Sequence, residues 1–128
     1  MAYPHFILLY IDDPSASARF YERVLALAPA EVSPTFALFV LPNGLKLGLW
    51  SRHTVEPAAA GSGGGAELGF PVDSAAAVDE LHSAWSSQGL PILQAPCELD
   101  FGRTFVATDP DGHRLRVFFP RPDEGRAP

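Results

Sequence analysis

The stretch FGRTFVATDPDGHRLRVFFP, residues 101–120, holds two runs in which apolar residues recur at every second position. Between the runs, Pro110 restricts φ and Gly112 supplies a permissive backbone, so the stretch predicts a β-hairpin. Alternation divides the second run between the two faces of its strand. One face comprises His113, Leu115, Val117 and Phe119, and the other comprises Arg114, Arg116 and Phe118. The first face suits a protein core, and the second is where we expect function.

The composition indicates one acidic globular domain. The chain has 128 residues, of which 47% are hydrophobic, and a net charge of −6, and this length suffices to bury a core. Because no basic cluster is present, we expect neither nucleic acid nor a membrane as a partner. The first apolar run spans only about six residues, which predicts a strand and a cytoplasmic protein. The single Cys97 cannot form an internal disulfide.

The first half of the chain predicts a strand, a helix and two further strands. Residues 6–11 form a short aliphatic and aromatic run typical of a buried strand. A helix follows from Pro14 to about Leu27, begun by the Asp12-Asp13-Pro14 cap and ended by Pro29. Residues 33–41 and 45–50 form two more strands, joined by the turn Pro42-Asn43-Gly44.

The second half repeats this order after a linker. Residues 54–66, TVEPAAAGSGGGA, lack periodicity and predict a flexible connection. We then expect a strand at 67–72, a helix at 75–87 closed by Gly89, and a proline-broken strand within 90–99. Ile11-Asp12 matches Val72-Asp73, and the two Pro-x-Gly turns also match, so the sequence predicts an internal duplication. We therefore predict one domain, with modules at about 4–53 and 67–120 and a tail at 121–128.

Two βαβββ modules, with DDPSASARFYERVL at residues 12–25 and DPDGHRLRVF at residues 109–118, resemble the vicinal-oxygen-chelate superfamily of glyoxalases, bleomycin-resistance proteins and extradiol dioxygenases. The stretches at residues 34–57 and 100–120 are similar to the phenazine-antibiotic-resistance type. The resemblance implies an α+β fold, in which both modules form a curved mixed sheet around a cavity with the helices outside. It also implies a homodimer.

Enzymes of this superfamily hold a divalent metal with one His, Glu or Gln on each of four strands. Carried over by the resemblance, these positions are Phe6, Gly48, Glu67 and Arg116. Only Glu67 can ligate a metal, so we expect no metal and no cofactor. One alternative remains, in which a bulge turns His5 inward to join Glu67 and perhaps His53.

Glu67 and Arg116 invite a separate hypothesis. If both occupy ligand positions on the same surface, a carboxylate and a guanidinium meet where the metal would have been. Two alternatives stay open: the side chains reach solvent separately, or Arg116 or Arg103 holds a carboxylate of a ligand.

Aromatic residues indicate what the cavity binds. Alternation places Trp50 and Phe118 at duplicated positions facing inward, with Gly48 leaving room beside Trp50. Phe6, Leu8 and Tyr10 face the same way, and Phe101, Arg103 and Phe105 are expected at the rim. A flat ligand would stack between such rings. The predicted ligand-binding residues are Phe6, Tyr10, Gly48, Trp50, Glu67, Phe101, Arg103, Phe105, Arg116 and Phe118.

These residues predict a metal-free protein that sequesters a planar aromatic compound, a phenazine-like or other antibiotic, without covalent chemistry and with no catalytic residue. A second hypothesis is a divalent-metal-dependent lyase or dioxygenase of the same fold. A third is an interaction domain that binds no small molecule.

Overall fold

A computed structural model describes residues 1–120 of the chain. These residues contain two helices and eight strands, in two four-stranded sheets that do not close into barrels. The chain divides into two compact units between Gly61 and Ser62, a boundary inside the predicted linker. We call residues 1–61 the N-terminal unit and the residues from 62 onward the C-terminal unit.

The N-terminal unit is a helix on a mixed sheet. Its elements are β1 (Phe6–Ile11), α1 (Pro14–Leu25), β2 (Glu31–Val32), β3 (Phe36–Val40) and β4 (Lys46–Ser51). The sheet has the order β1-β4-β3-β2, with β1 parallel to β4 and the other pairs antiparallel. Helix α1 packs on strands β2, β3 and β4, so one face of the sheet is covered by the unit's own helix.

The C-terminal unit repeats this plan. Its elements are β5 (Glu67–Pro71), α2 (Ala75–Ser87), β6 (Ile92–Leu99), β7 (Gly102–Thr108) and β8 (Arg114–Pro120). The order is β5-β8-β7-β6, with β5 parallel to β8, and α2 packs on β6, β7 and β8. The hairpin predicted for residues 101–120 is therefore β7 and β8, and the predicted two-module fold is confirmed.

Strand register confirms that the duplication extends to single residues. Phe6 pairs with Lys46 and Tyr10 with Trp50 in the N-terminal unit. In the C-terminal unit, Glu67 of β5 lies opposite Arg114 of β8 in the strand register, and Pro71 lies opposite Phe118. Trp50 and Phe118 therefore hold equivalent places in two sheets of the same design, as predicted.

Local chemistry sets the helix ends. The Asp13 carboxylate accepts hydrogen bonds from the Ser15 and Ala16 N–H groups at the start of α1, and the Ser74 hydroxyl accepts from the Ala77 N–H in α2. Gly89, with φ of 85°, ends α2 as predicted. Helix α1 ends at Leu25 instead of about Leu27, because Ala26 adopts a left-handed φ of 51°.

The strand boundaries differ from the prediction around Ser33. The strand predicted for residues 33–41 covers only Phe36–Val40. The Ser33 hydroxyl accepts from the Thr35 and Phe36 N–H groups, and this local turn separates β3 from the short strand β2, which the sequence did not predict.

Each unit has its own apolar core on the helix side. Ile11, Tyr21, Phe39 and Leu49 are fully buried in the N-terminal unit, and Val78, Phe105, Leu115 and Val117 in the C-terminal unit. Within residues 1–120, neither helix is long and apolar enough to cross a membrane. The expected cytoplasmic location and homodimer stay predictions.

Candidate ligand-binding site

The N-terminal unit presents an apolar sheet face opposite α1. Register and alternation place the side chains of β1, β3 and β4 that do not enter the core on this face. Three of them are exposed although large and apolar: Phe6 is 43% exposed, Leu8 44% and Tyr10 40%. We define the aromatic face as Phe6, Leu8, Tyr10, Phe36, Gly48 and Trp50.

Trp50 and Phe36 form the aromatic pair of this face. Their ring centroids lie 6.3 Å apart at an interplanar angle of 85°, an edge-to-face geometry that aromatic rings favour. Trp50 is only partly buried, so part of the indole remains open to a further ring. Phe36 was not among the predicted site residues. Counting the register through the Pro42-Asn43-Gly44 turn would have placed it beside Trp50.

Gly48 allows three side chains to converge on β4. A Cβ atom at this position would lie 2.7 Å from Leu8 Cδ2, 2.8 Å from Phe36 Cζ and 3.0 Å from Phe6 Cε1. The room that Gly48 was predicted to leave is therefore filled by Phe6, Leu8 and Phe36, which form a continuous apolar surface.

We expect Gly48→Ala to reshape the aromatic face at a modest cost. The added methyl group must displace the ends of flexible side chains, so the loss in unfolding free energy should be about 1 kcal/mol, the low end for overpacking. Gly65→Ala is the control, because no atom lies within 4 Å of its Cβ position. Urea denaturation measures both, and equal stabilities would contradict the close contacts at Gly48.

The equivalent face of the C-terminal unit is polar at its centre. Arg116 Nε donates to Glu67 Oε1 at 2.7 Å and Arg116 Nη2 donates to Glu67 Oε2 at 3.0 Å. The hypothesis that these two side chains pair is confirmed, and they do not reach solvent separately. Because both carboxylate oxygens are engaged by one planar guanidinium, the pair has the bidentate geometry of a strong ion pair.

Neighbours hold Arg116 in place. Its Nη1 donates to Thr104 Oγ1 at 3.3 Å and lies 3.5 Å from Gln94 Oε1, while the Thr104 hydroxyl donates to the Val117 carbonyl. The Arg116 side chain is 14% exposed and that of Glu67 31%. Neither Thr104 nor Gln94 was predicted, although alternation in the hairpin places Thr104 on this face.

The surroundings of Glu67 favour its ionised form. Hydrogen bonds from Arg116 lower the pKa of the Glu67 carboxyl, and the positive charges of Arg116 and Arg114 act in the same direction against the opposing effect of desolvation. A carboxylate whose pKa is lowered is a weak general base, since proton transfer is most efficient when the pKa is near the working pH.

This lowered pKa predicts a pH dependence of stability. A carboxyl whose pKa is lower in the folded state stabilises the fold above its unfolded pKa of about 4.3, and this contribution disappears as the pH falls through the folded value. The difference in unfolding free energy between the natural chain and Glu67→Gln should be constant from pH 7 to about 5 and should shrink at lower pH. Urea titrations between pH 3 and 7 measure it, and a constant difference throughout would contradict the assignment.

Two aromatic rings adjoin the pair. Phe101 and Phe118 lie edge to face, with centroids 6.1 Å apart, and the Arg116 guanidinium carbon lies 6.0 Å from the Phe101 centroid. Phe118 also covers Gly69, because a Cβ atom added at Gly69 would lie 3.3 Å from Phe118 Cε1. The structure therefore brings together four predicted residues of the C-terminal unit: Glu67, Phe101, Arg116 and Phe118.

Arg103 and Phe105, predicted at the rim, lie on the opposite face of the same sheet. Phe105 is fully buried and its ring meets those of His82 and Trp85 on α2. Arg103 pairs with Asp79 on α2 and with Glu98. The reason is the register of the hairpin, which pairs Phe105 with Val117 on the core side. Counting outward from the turn would have found this placement, and both residues are left out of the candidate site.

The repeated strand-helix-strand plan agrees with the comparisons with known proteins. Residues 3–117 match the model of the Glyoxalase/Bleomycin resistance protein/Dioxygenase superfamily. The chain belongs to this superfamily. Among curated proteins, the superfamily member is similar to the phenazine antibiotic resistance protein EhpR of Enterobacter agglomerans, with 29% identity and coverage of 89% of each chain.

Solved structures show the same relationship. A protein of Agrobacterium tumefaciens, determined by NMR in solution, is 55% identical, with a TM-score of 0.88 and coverage of 94% of this chain and 99% of that chain. A glyoxalase-related enzyme from Fulvimarina pelagi is 27% identical, with a TM-score of 0.81 and coverage of 93% and 88%.

The residues of this superfamily member do not fit the divalent metal of its enzymes. Phe6 and Gly48 offer no ligand atom, and the Glu67 carboxylate is engaged by Arg116. His53, the proposed additional ligand, lies with Nε2 2.7 Å from Asp12 Oδ1. Among residues 1–120, no three His, Cys, Asp or Glu side chains are grouped so that they could hold a metal ion. Arg116, at the fourth ligand position that the resemblance implies, carries a guanidinium, which does not ligate a metal.

Proposed function

We propose that this protein binds a planar aromatic compound of the phenazine type without a metal, and protects the cell by sequestering it. The observation that carries this proposal is the aromatic face. Phe6, Leu8 and Tyr10 are each at least 40% exposed beside the partly open Trp50. Large apolar side chains grouped on a surface mark a place where something binds.

The aromatic face has the chemistry that a flat ligand requires. A ring that stacks on Trp50 or packs against Phe36 gains about 0.5–1.5 kcal/mol per aromatic contact beyond the burial of apolar area. Apolar burial adds about 25 cal/mol per Å² of surface removed from water. A fused tricyclic compound would cover several of these side chains at once, whereas a small polar substrate would leave them exposed.

Similarity to EhpR supports the ligand class. That relative is named as a phenazine antibiotic resistance protein, and a phenazine is a rigid planar tricycle. Rigidity favours binding, because little conformational entropy is lost when such a molecule is held.

The polar face of the C-terminal unit favours binding over catalysis. The Glu67 carboxylate is occupied by Arg116 and its pKa is lowered, so it neither ligates a metal nor accepts a proton readily at neutral pH. We therefore propose that the bound compound is held unchanged.

A tryptophan-fluorescence titration with phenazine-1-carboxylate, in the presence of EDTA, tests this function. The chain has two tryptophans, Trp50 and the buried Trp85. Saturable quenching in EDTA, with the compound recovered unaltered, is the expected result. A response or turnover that requires added Mn²⁺ or Zn²⁺ would favour the metal-dependent enzyme instead. If the compound binds under neither condition, the remaining hypothesis is an interaction domain that binds no small molecule.

A further inference from the structure

The open face of the C-terminal unit is electropositive within an acidic unit. Residues 62–120 contain three arginines and eight carboxylate side chains. Most of the carboxylates belong to α2, its cap, or the turns around the hairpin. Among the described residues of this unit, Glu67 is the one acidic side chain at a strand position opposite α2, where it lies with Arg114 and Arg116. Two positive charges therefore share this face with one negative charge.

Arg114 carries the charge that is not neutralised at short range. Both oxygens of Glu67 accept hydrogen bonds from Arg116. Arg114 Nη1 is 3.9 Å from Glu67 Oε2, beyond hydrogen-bonding distance, and its side chain is 42% exposed. Within residues 1–120, this guanidinium is held by no closer carboxylate, so its fork of N–H donors is available to an anion.

Alternation places this cation in line with aromatic groups. Arg114, Arg116 and Phe118 project from the same face of β8, so neighbours in this row are about 6.6 Å apart along the strand. Arg116 and the Phe101 and Phe118 rings offer flat surfaces on which an aromatic ring can stack. A ring that stacks on the Arg116 guanidinium would have Arg114 as its neighbour in this row, where an acidic substituent could meet it.

We propose that Arg114 binds the carboxylate of an aromatic acid on the open face of the C-terminal unit, and so determines that this face takes a planar aromatic anion. This inference rests on the proposed function for its ligand class, a planar aromatic compound, and concerns the sheet face of the C-terminal unit alone. The Glu67–Arg116 pair has the supporting role of keeping Arg116 neutralised and fixed, which leaves Arg114 as the group that distinguishes an anionic from a neutral ligand.

Two isosteric probes test this assignment by isothermal titration calorimetry. Phenazine-1-carboxylate and phenazine-1-carboxamide have nearly the same shape but differ in charge. The natural chain should bind the carboxylate at least tenfold more tightly, and this preference should weaken at high salt. In Arg114→Gln the two affinities should become equal through a loss confined to the carboxylate. Arg114→Lys should keep part of the preference, since it retains the charge but not the fork.

Arg19→Gln is the matched control. It removes the same charge from an exposed position on α1 and should leave both affinities unchanged. If the natural chain binds both probes equally, or if Arg114→Gln keeps the preference, the assignment of Arg114 is wrong while the proposed function stands. If neither probe binds, the proposed function fails and the assignment fails with it.

Discussion

Trp50→Ala is expected to weaken the binding of phenazine-1-carboxylate at least about tenfold, or roughly 1.4 kcal/mol. The reason is that Trp50 is the largest ring of the aromatic face and is only partly buried. Its indole meets the Phe36 ring edge to face and lies outside the apolar core, so we expect its removal to cost the fold little and to change the melting temperature little. Calorimetric titration and thermal unfolding measure the two effects.

The other tryptophan supplies the control. Trp85 is 2% exposed, and its ring lies 5.4 Å from that of Phe70 and 5.5 Å from that of Phe105. Trp85→Ala should therefore lose about 3–5 kcal/mol of unfolding free energy, as large core truncations do. The two tryptophans should thus separate binding from stability. Unchanged affinity in Trp50→Ala would remove this residue from the site and contradict the proposed face.

The second large effect concerns the Glu67–Arg116 pair. Arg116→Met leaves the Glu67 carboxylate without its bidentate donor, and the expected loss is about 1.5–3 kcal/mol of unfolding free energy, the range for hydrogen bonds to charged groups. Adding Glu67→Gln removes the uncompensated charge. The double variant should therefore be at least about 1 kcal/mol more stable than Arg116→Met alone, because breaking an ion pair costs more than replacing it.

A double-mutant cycle by urea denaturation at pH 7 measures this coupling. Arg114→Met is the control, since its charge is 3.9 Å from Glu67 and 42% exposed. It should change stability by less than about 0.5 kcal/mol. Additive losses for Glu67→Gln and Arg116→Met would show that the two side chains do not stabilise each other.

Much of the candidate site could be predicted from the family resemblance, the duplication and strand alternation together. The resemblance placed Glu67 and Arg116 at ligand positions of one surface, and the structure joins them by two hydrogen bonds. Trp50 and Phe118 were expected at duplicated positions, and the register confirms this equivalence. These predictions succeeded because the two-residue period of a strand is a local property, which any segment expresses before it pairs with another.

Packing, in contrast, was settled only by the tertiary structure, and the register of one hairpin was counted wrongly. Arg103 and Phe105 were predicted at the rim but face α2, because β7 pairs Phe105 with Val117 on the core side, and an error of one residue in a predicted register reverses every side chain. The space at Gly48 is filled by Phe6, Leu8 and Phe36, which come from two other strands.

The sequence by itself determined the order of elements, the duplication and the residue types that each sheet face carries. Only the tertiary structure decided that Arg116, and not Arg114, takes both oxygens of Glu67. Both arginines lie on the same face of one strand, so their sequence pattern is equivalent. Their difference arises from the neighbours that each side chain meets across the sheet. Arg116 is held by hydrogen bonds to Thr104 and Gln94, and its planar guanidinium donates to both oxygens of the Glu67 carboxylate.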